Sequence, residues 1–189
     1  MSVEYTPRHT GAARIALAAL LAGFEVAVVH ATPGGAPVTS IGRLEARPQA
    51  ALADLRPDAF DALVLIGSEG WQDAATRAAL LPLVVAAHRA GRVVAGICGA
   101  TLTLAEAGLL DGRPHTSDGL AFLEAHLPAY GAGATYVDGA RAVAADGVVT
   151  ASGLAPVSFA AEVARLVAPD HAEEIAGFEA MMGAEHREG

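Results

Sequence analysis

The chain contains no lysine, only one cysteine, and no apolar run long enough to cross a bilayer. Without lysine, and without a helix following it, the glycine-rich stretch ATPGGAP cannot be a phosphate loop and reads as a turn. One cysteine closes no internal disulfide and excludes a cysteine-based zinc site, so Cys98 is either an inert buried residue or a chemically employed one. His88, His126 and His186 lie on helical stretches without metal-ligand spacing, and no metal is expected. The hydrophobic share of 53% and mean hydropathy of +0.40 suggest a membrane protein. Yet every apolar run is cut by a charge or a proline before the ~18 residues a span requires. The opening MSVEYTPRHTG lacks a basic segment followed by an apolar core and a cleavage site, so a cytoplasmic location is expected. Positive charge is scarce too. Twelve arginines face 21 acidic residues for a net charge of -9, which disfavours nucleic acid and anionic membrane surfaces, and neither is expected as a partner.

What is present has the pattern of one domain over residues 1–189, a length that buries roughly two thirds of its unfolded surface in a single core. Helical periodicity runs through GAARIALAALLAGF and gives way to a β-branched strand, EVAVVH. A loop with a small hairpin or edge strand follows over ATPGGAPVTSIGRLEARPQ. DALVLIG reads as a buried strand. The helical stretch after it contains Pro82, which predicts a kink or two abutting helices, and it ends at Gly91. RVVAGI is another buried strand running straight into the helical CGATLTLAEAGLL. RPHTS reads as a short strand and GLAFLEAHL as a helix. ATYVD, RAVAADG and GVVTASG read as short strands, and two helices close the chain near residues 156–167 and 169–182. Buried strands alternating with helices predict an α/β fold with a mainly parallel sheet covered on both faces.

In such a sheet ligands bind at the C-terminal ends of the strands, and Cys98 stands at one of these strand-to-helix junctions. Gly96-Ile97-Cys98-Gly99-Ala100 has the form of a nucleophile elbow with cysteine at its apex, where small flanking residues let the backbones approach. A thiol at a helix start meets the positive end of the helix dipole, which favours thiolate, and the same backbone N–H groups can stabilise an oxyanion. The alternative is a buried cysteine in ordinary alanine-glycine packing.

AGICGATLTLAEAGLLDGR, with DALVLIG upstream and SGLAPVSFAAEVARL downstream, resembles the ThiJ/PfpI superfamily. This is the class I glutamine amidotransferase-like group with a flavodoxin-like three-layer α/β/α sandwich. PVTSIGRLEARPQAALADL and RPHTSDGLAFLEAHLP resemble its bacterial type 1 glutamine amidotransferase-like branch. The resemblance implies a nucleophilic or oxidisable Cys98, with an oxyanion hole from the backbone N–H groups of Ser68 and Gly99. It implies no cofactor, a small-molecule substrate and a homodimer.

The sequence departs from that family pattern in two places. The family's glutamate beside the thiol would fall at Gly11, and no carboxylate lies between Tyr5 and Leu21, leaving Glu4 or Glu69 to supply it. Ser2 to Thr6 is expected to form the central strand despite its poor pattern. The family's histidine after the elbow helix falls at Ser117, with His115 two residues earlier. Residues two apart on a strand share a face, so His115 is the candidate base. Its alternative role is to cap the following helix. Glu69, Trp71 and Ser117 are the candidate pocket residues, although Trp71 also suits the core. His171 and Glu173 are spaced like the pair that completes a glutaminase triad, but no strand precedes them. The expected function is a cysteine-dependent small-molecule hydrolase or hydratase acting on a carbonyl or amide compound. The competing reading is a non-catalytic redox or stress-response protein with an oxidisable cysteine.

Overall fold

Three adjacent strands carry apolar side chains alternately to two faces, as the two-residue period of a strand requires. In β6 (Ala62–Leu65), Ala62 and Val64 face one core while Leu63 and Leu65 face the other. β7 (Val93–Ile97) and β9 (Val148–Ala151) divide in the same way, with Ala95, Ile97, Val149 and Ala151 opposed to Val94 and Val148. Helices α1 (Gly11–Leu21), α5 (Pro156–Val167) and α6 (Ala172–Met182) supply the first face. The second is covered by α2 (Ala74–Arg89) and α3 (Thr101–Glu106). The result is the expected α/β/α sandwich.

The computed structural model describes residues 2–4, 11–39, 43 and 45–183. The remaining elements are β1 (Ser2–Glu4), β2 (Val28–Thr32), β3 (Val38–Thr39), β4 (Glu45–Ala46), β5 (Ala50–Ala51), α4 (Leu120–His126) and β8 (Val143–Ala145). The main sheet runs β5-β2-β1-β6-β7-β9-β8, parallel except for the edge pair β8–β9. Its central slot is filled by β1, where Ser2 pairs with both Val28 and Ala62; Tyr5 and Thr6 lie outside the described residues. The small hairpin is β3 against β4. No helix among the described residues is long and apolar enough to cross a membrane.

Several elements differ from the sequence reading. Helix α2 runs unbroken through Pro82. Pro82 and the residue four before it, Ala78, are both exposed, so the carbonyl that loses its partner faces water. The strand in EVAVVH starts only at Val28 and continues to Thr32. RPHTS and ATYVD form no strands and meet only in an isolated bridge between His115 and Tyr136.

Two glycines let the elbow pack. A Cβ on Gly99 would lie 2.7 Å from the Ser68 carbonyl oxygen, and one on Gly96 would lie 3.0 Å from Leu104 Cδ1. Backbone cannot yield as a leucine tip can, so Gly99→Ala should destabilise the fold by about 1–3 kcal/mol. Gly96→Ala should cost less, and urea unfolding of the two variants measures the difference.

Candidate active site

Cys98 follows β7 directly, and its backbone turns at φ +57°, the left-handed region that a non-glycine residue enters only under constraint. This is the strained turn of a nucleophile elbow. Residues 98–100 form a tight helical turn that leads into α3. Because β6, β7 and β9 are parallel and in register, the segments after β6 and β9 leave the sheet on either side of Cys98.

The segment after β6 is held rigidly. Ser68 caps the turn Glu69–Gln72 by accepting the Gly70 N–H at 3.0 Å. Trp71 is fully buried, donates its indole N–H to the Ile66 carbonyl at 2.8 Å and packs against Gly99. It belongs to the hydrophobic core. Arg77, itself buried, clamps the turn to α3 by bonding Glu106 at 2.6 Å and the carbonyls of Trp71 and Gln72 at 2.7 and 3.0 Å. A buried guanidinium with three partners avoids the cost of an unpaired buried charge. These contacts hold Ser68 against the elbow.

From the other side comes a carboxylate that the sequence reading missed. Asp118 stands beside the Cys98 thiol, and its carboxylate raises the thiol's pKa through hydrogen bonding and through its charge. Its Oδ1 receives the Gly153 N–H at 2.7 Å and the Ser152 hydroxyl at 3.1 Å, both from the turn after β9. A Cβ on Gly153 would lie 3.3 Å from the sulfur and 3.5 Å from Asp118 Oδ1, so glycine leaves room for both groups. Asp118 thus supplies a carboxylate at the thiol, and the side chain of Glu4 lies outside the described ones. Glu69 is exposed and its charge raises the thiol's pKa, and the first turn of α1 holds no acid.

The electrostatics reverse the expected thiolate. Burial, the hydrogen bond to Asp118 and the Asp118 charge push the Cys98 thiol up from 9.0 to about 12. The Gly99 N–H, directed at the sulfur, pulls the other way and is outweighed.

His115 does not serve this thiol. It is buried, and its Nδ1 lies 2.7 Å from the Arg113 carbonyl while its Nε2 bonds the Tyr130 hydroxyl. A carbonyl only accepts, so Nδ1 carries the proton and Nε2 takes Tyr130's. Tyr130 and Tyr136 meet the ring edge-on, at centroid distances of 5.9 and 5.8 Å. His115 therefore belongs to an aromatic cluster, because no regular strand forms to aim it at Cys98. It does not cap α4, whose N-cap is Gly119. Ser117 is buried beneath the elbow, with its hydroxyl 2.7 Å from Thr101 Oγ1. His171 stacks on Phe24 at 4.1 Å and has its Nδ1 3.6 Å from Glu174, not beside Glu173. His126 bonds the Phe122 carbonyl, and His186 lies outside the described residues.

The α/β/α sandwich with its mainly parallel sheet agrees with the folds of known proteins. The family model of the DJ-1/PfpI family matches residues 10–166. The chain belongs to the DJ-1/PfpI family. A DJ-1 superfamily protein of Agrobacterium tumefaciens superposes with a TM-score of 0.86 at 39% identity, covering 98% of each chain. A ThiJ/PfpI family protein of Bacillus anthracis superposes at 0.75 with 26% identity, covering 93% of this chain and 95% of the other. The Bacillus subtilis protein named uncharacterized protease YoaZ is 36% identical over 136 residues, 70% of this chain and 64% of that protein. A second, YdeA, is 32% identical over 121 residues, 64% of this chain and 59% of that protein. The chain thus spans less than two thirds of either curated relative.

The raised thiol has a consequence for stability. Cys98 titrates from 9.0 in its ordinary state and at about 12 in the fold, and burial likewise moves Tyr130 from 10.0 to about 12. Above pH 9 the unfolded chain therefore loses protons that the folded chain retains. The stability these groups provide is complete below pH 9 and is lost as the pH rises to 12. Urea unfolding over that range should show this fall, and Cys98→Ser and Tyr130→Phe should each flatten part of it.

Proposed function

We propose that the chain is a cysteine-dependent hydrolase or hydratase acting on a small carbonyl or amide compound, with Cys98 as nucleophile and Asp118 as proton carrier. The observation that supports this is the Asp118 carboxylate, held by the Gly153 N–H and the Ser152 hydroxyl, next to a thiol that burial and this carboxylate push up to about 12. A protonated thiol with a positioned base reacts by general-base catalysis as the substrate arrives. The Cys98 sulfur forms a bond to the electrophilic carbon, the carbon–oxygen π pair moves onto oxygen, and the thiol proton passes to Asp118. The backbone N–H groups of Ser68 and Gly99 stabilise the oxyanion. From this anionic adduct of an amide, Asp118 gives the proton to the nitrogen as the C–N bond breaks and the carbonyl re-forms, leaving an amine and a thioester; water then adds to the thioester carbon and the C–S bond breaks, giving the acid and returning a proton to the sulfur. With an aldehyde the proton passes to the oxyanion to give a hemithioacetal, whose C–S bond breaks as water takes the carbon, giving the hydrate and the free thiol.

The redox reading is less well supported. Cysteines that sense oxidants are exposed thiolates of low pKa, whereas burial and Asp118 push Cys98 upward. The protease names of the Bacillus relatives imply amide chemistry, which the same steps accommodate.

Incubation with small aldehydes and primary amides, followed by proton NMR and intact-protein mass spectrometry, tests the reading. Cys98→Ser should abolish turnover, and Asp118→Asn should lower it by roughly 10²–10⁴-fold, the usual contribution of a general base. Unchanged turnover in a folded Asp118→Asn variant would overturn the assignment of Asp118.

A further inference from the structure

We infer that Thr101 and Ser117 are positioning residues whose hydroxyls form a directed relay setting the Cys98 elbow against the segment that carries Asp118. The inference rests on the Cys98–Asp118 reading above and extends it to two side chains that do not touch the thiol.

The direction of the relay follows from donor counting. Thr101 Oγ1 donates to the Cys98 carbonyl at 2.7 Å. A hydroxyl has one proton, so in its 2.7 Å contact with Ser117 Oγ, Thr101 accepts and Ser117 donates. Both side chains are buried, and neither can replace a lost partner with water at no cost. The relay thus joins the carbonyl of the left-handed residue to the residue directly before the acid. The far side of that segment is fixed independently. Ser117's carbonyl accepts the Tyr136 hydroxyl at 3.2 Å, and the Thr116 N–H donates to Thr150 Oγ1 at 2.9 Å. Asp118 is then tied to the turn after β9 through Ser152 and Gly153. With those anchors in place, the relay sets where the elbow lies relative to the carboxylate. Thr101 also lies within α3, where a threonine hydroxyl bonded three residues back competes with regular helix bonding, a local cost offset by fixing the turn.

The test is the pH dependence of Cys98 alkylation by iodoacetamide in the full chain, with folding checked by circular dichroism. Asp118→Asn should speed alkylation at pH 8 by roughly tenfold for each unit the thiol falls. Thr101→Val, which keeps the shape and removes the hydroxyl, should give roughly a threefold to tenfold rise by letting thiol and carboxylate drift apart. Thr101→Ser should restore the wild-type profile. In the Asp118→Asn background Thr101→Val should add nothing, a coupling that general loosening would not produce. A wild-type profile for Thr101→Val, or an additive effect in the double variant, would overturn the relay while leaving the dyad intact. No effect of Asp118→Asn would instead overturn the dyad. If Thr101→Val does not fold, Ser117→Ala carries the same predictions with the same outcomes.

Discussion

Leu65, Gly96 and Thr150 stand side by side in three parallel strands, and the site depends on that register. It delivers the segment after β6, the elbow and the turn after β9 to one point at the C-terminal edge of the sheet. A slip of one residue would turn every side chain of a strand to the wrong face, and the buried apolar alternation of all three strands opposes it. The two cores therefore fix the geometry around Cys98 although none of their leucines and valines takes part in chemistry.

Within that frame the charge arrangement decides what the thiol can do. A cysteine next to a helix start and a backbone N–H has a bias toward thiolate, but burial and a hydrogen-bonded carboxylate outweigh it. The resting sulfur is thus a protonated thiol with a carboxylate beside it. Asp118 is partnered on its other side by Ser152 and Gly153, so the carboxylate is oriented before any substrate arrives. In the proposed reaction, preorganisation of this kind would leave little rearrangement to be made.

The legible parts of the sequence were those written in local pattern. Gly96-Ile97-Cys98-Gly99-Ala100 announced the elbow because steric demands on neighbouring residues are local, and the structure places Gly99 where no Cβ fits. β1 was expected from the need to fill a central slot more than from its own residues. Asp118 was illegible because its partnership with Cys98 spans 20 positions and is created by the turn after β9; within HTSDG it reads as ordinary turn chemistry. His115 was misjudged for a related reason. Two-residue alternation holds only in a strand, and a single bridge to Tyr136 leaves His115 facing Tyr130 while Ser117 turns beneath the elbow. Trp71 suited both pocket and core on sequence, and its indole bond to Ile66 settles it in the core.

Because the chain has one cysteine, ultraviolet absorbance of the thiolate reports Cys98 alone once the tyrosine signal of Cys98→Ser is subtracted. A titration of the native protein from pH 6 to pH 12 is the direct measurement. Absence of thiolate until well above pH 9, with a midpoint toward about 12, is the predicted result. A midpoint at or below the ordinary ~8.5 would contradict the account: the sulfur would then be a resting thiolate, and Asp118 would not be holding its proton.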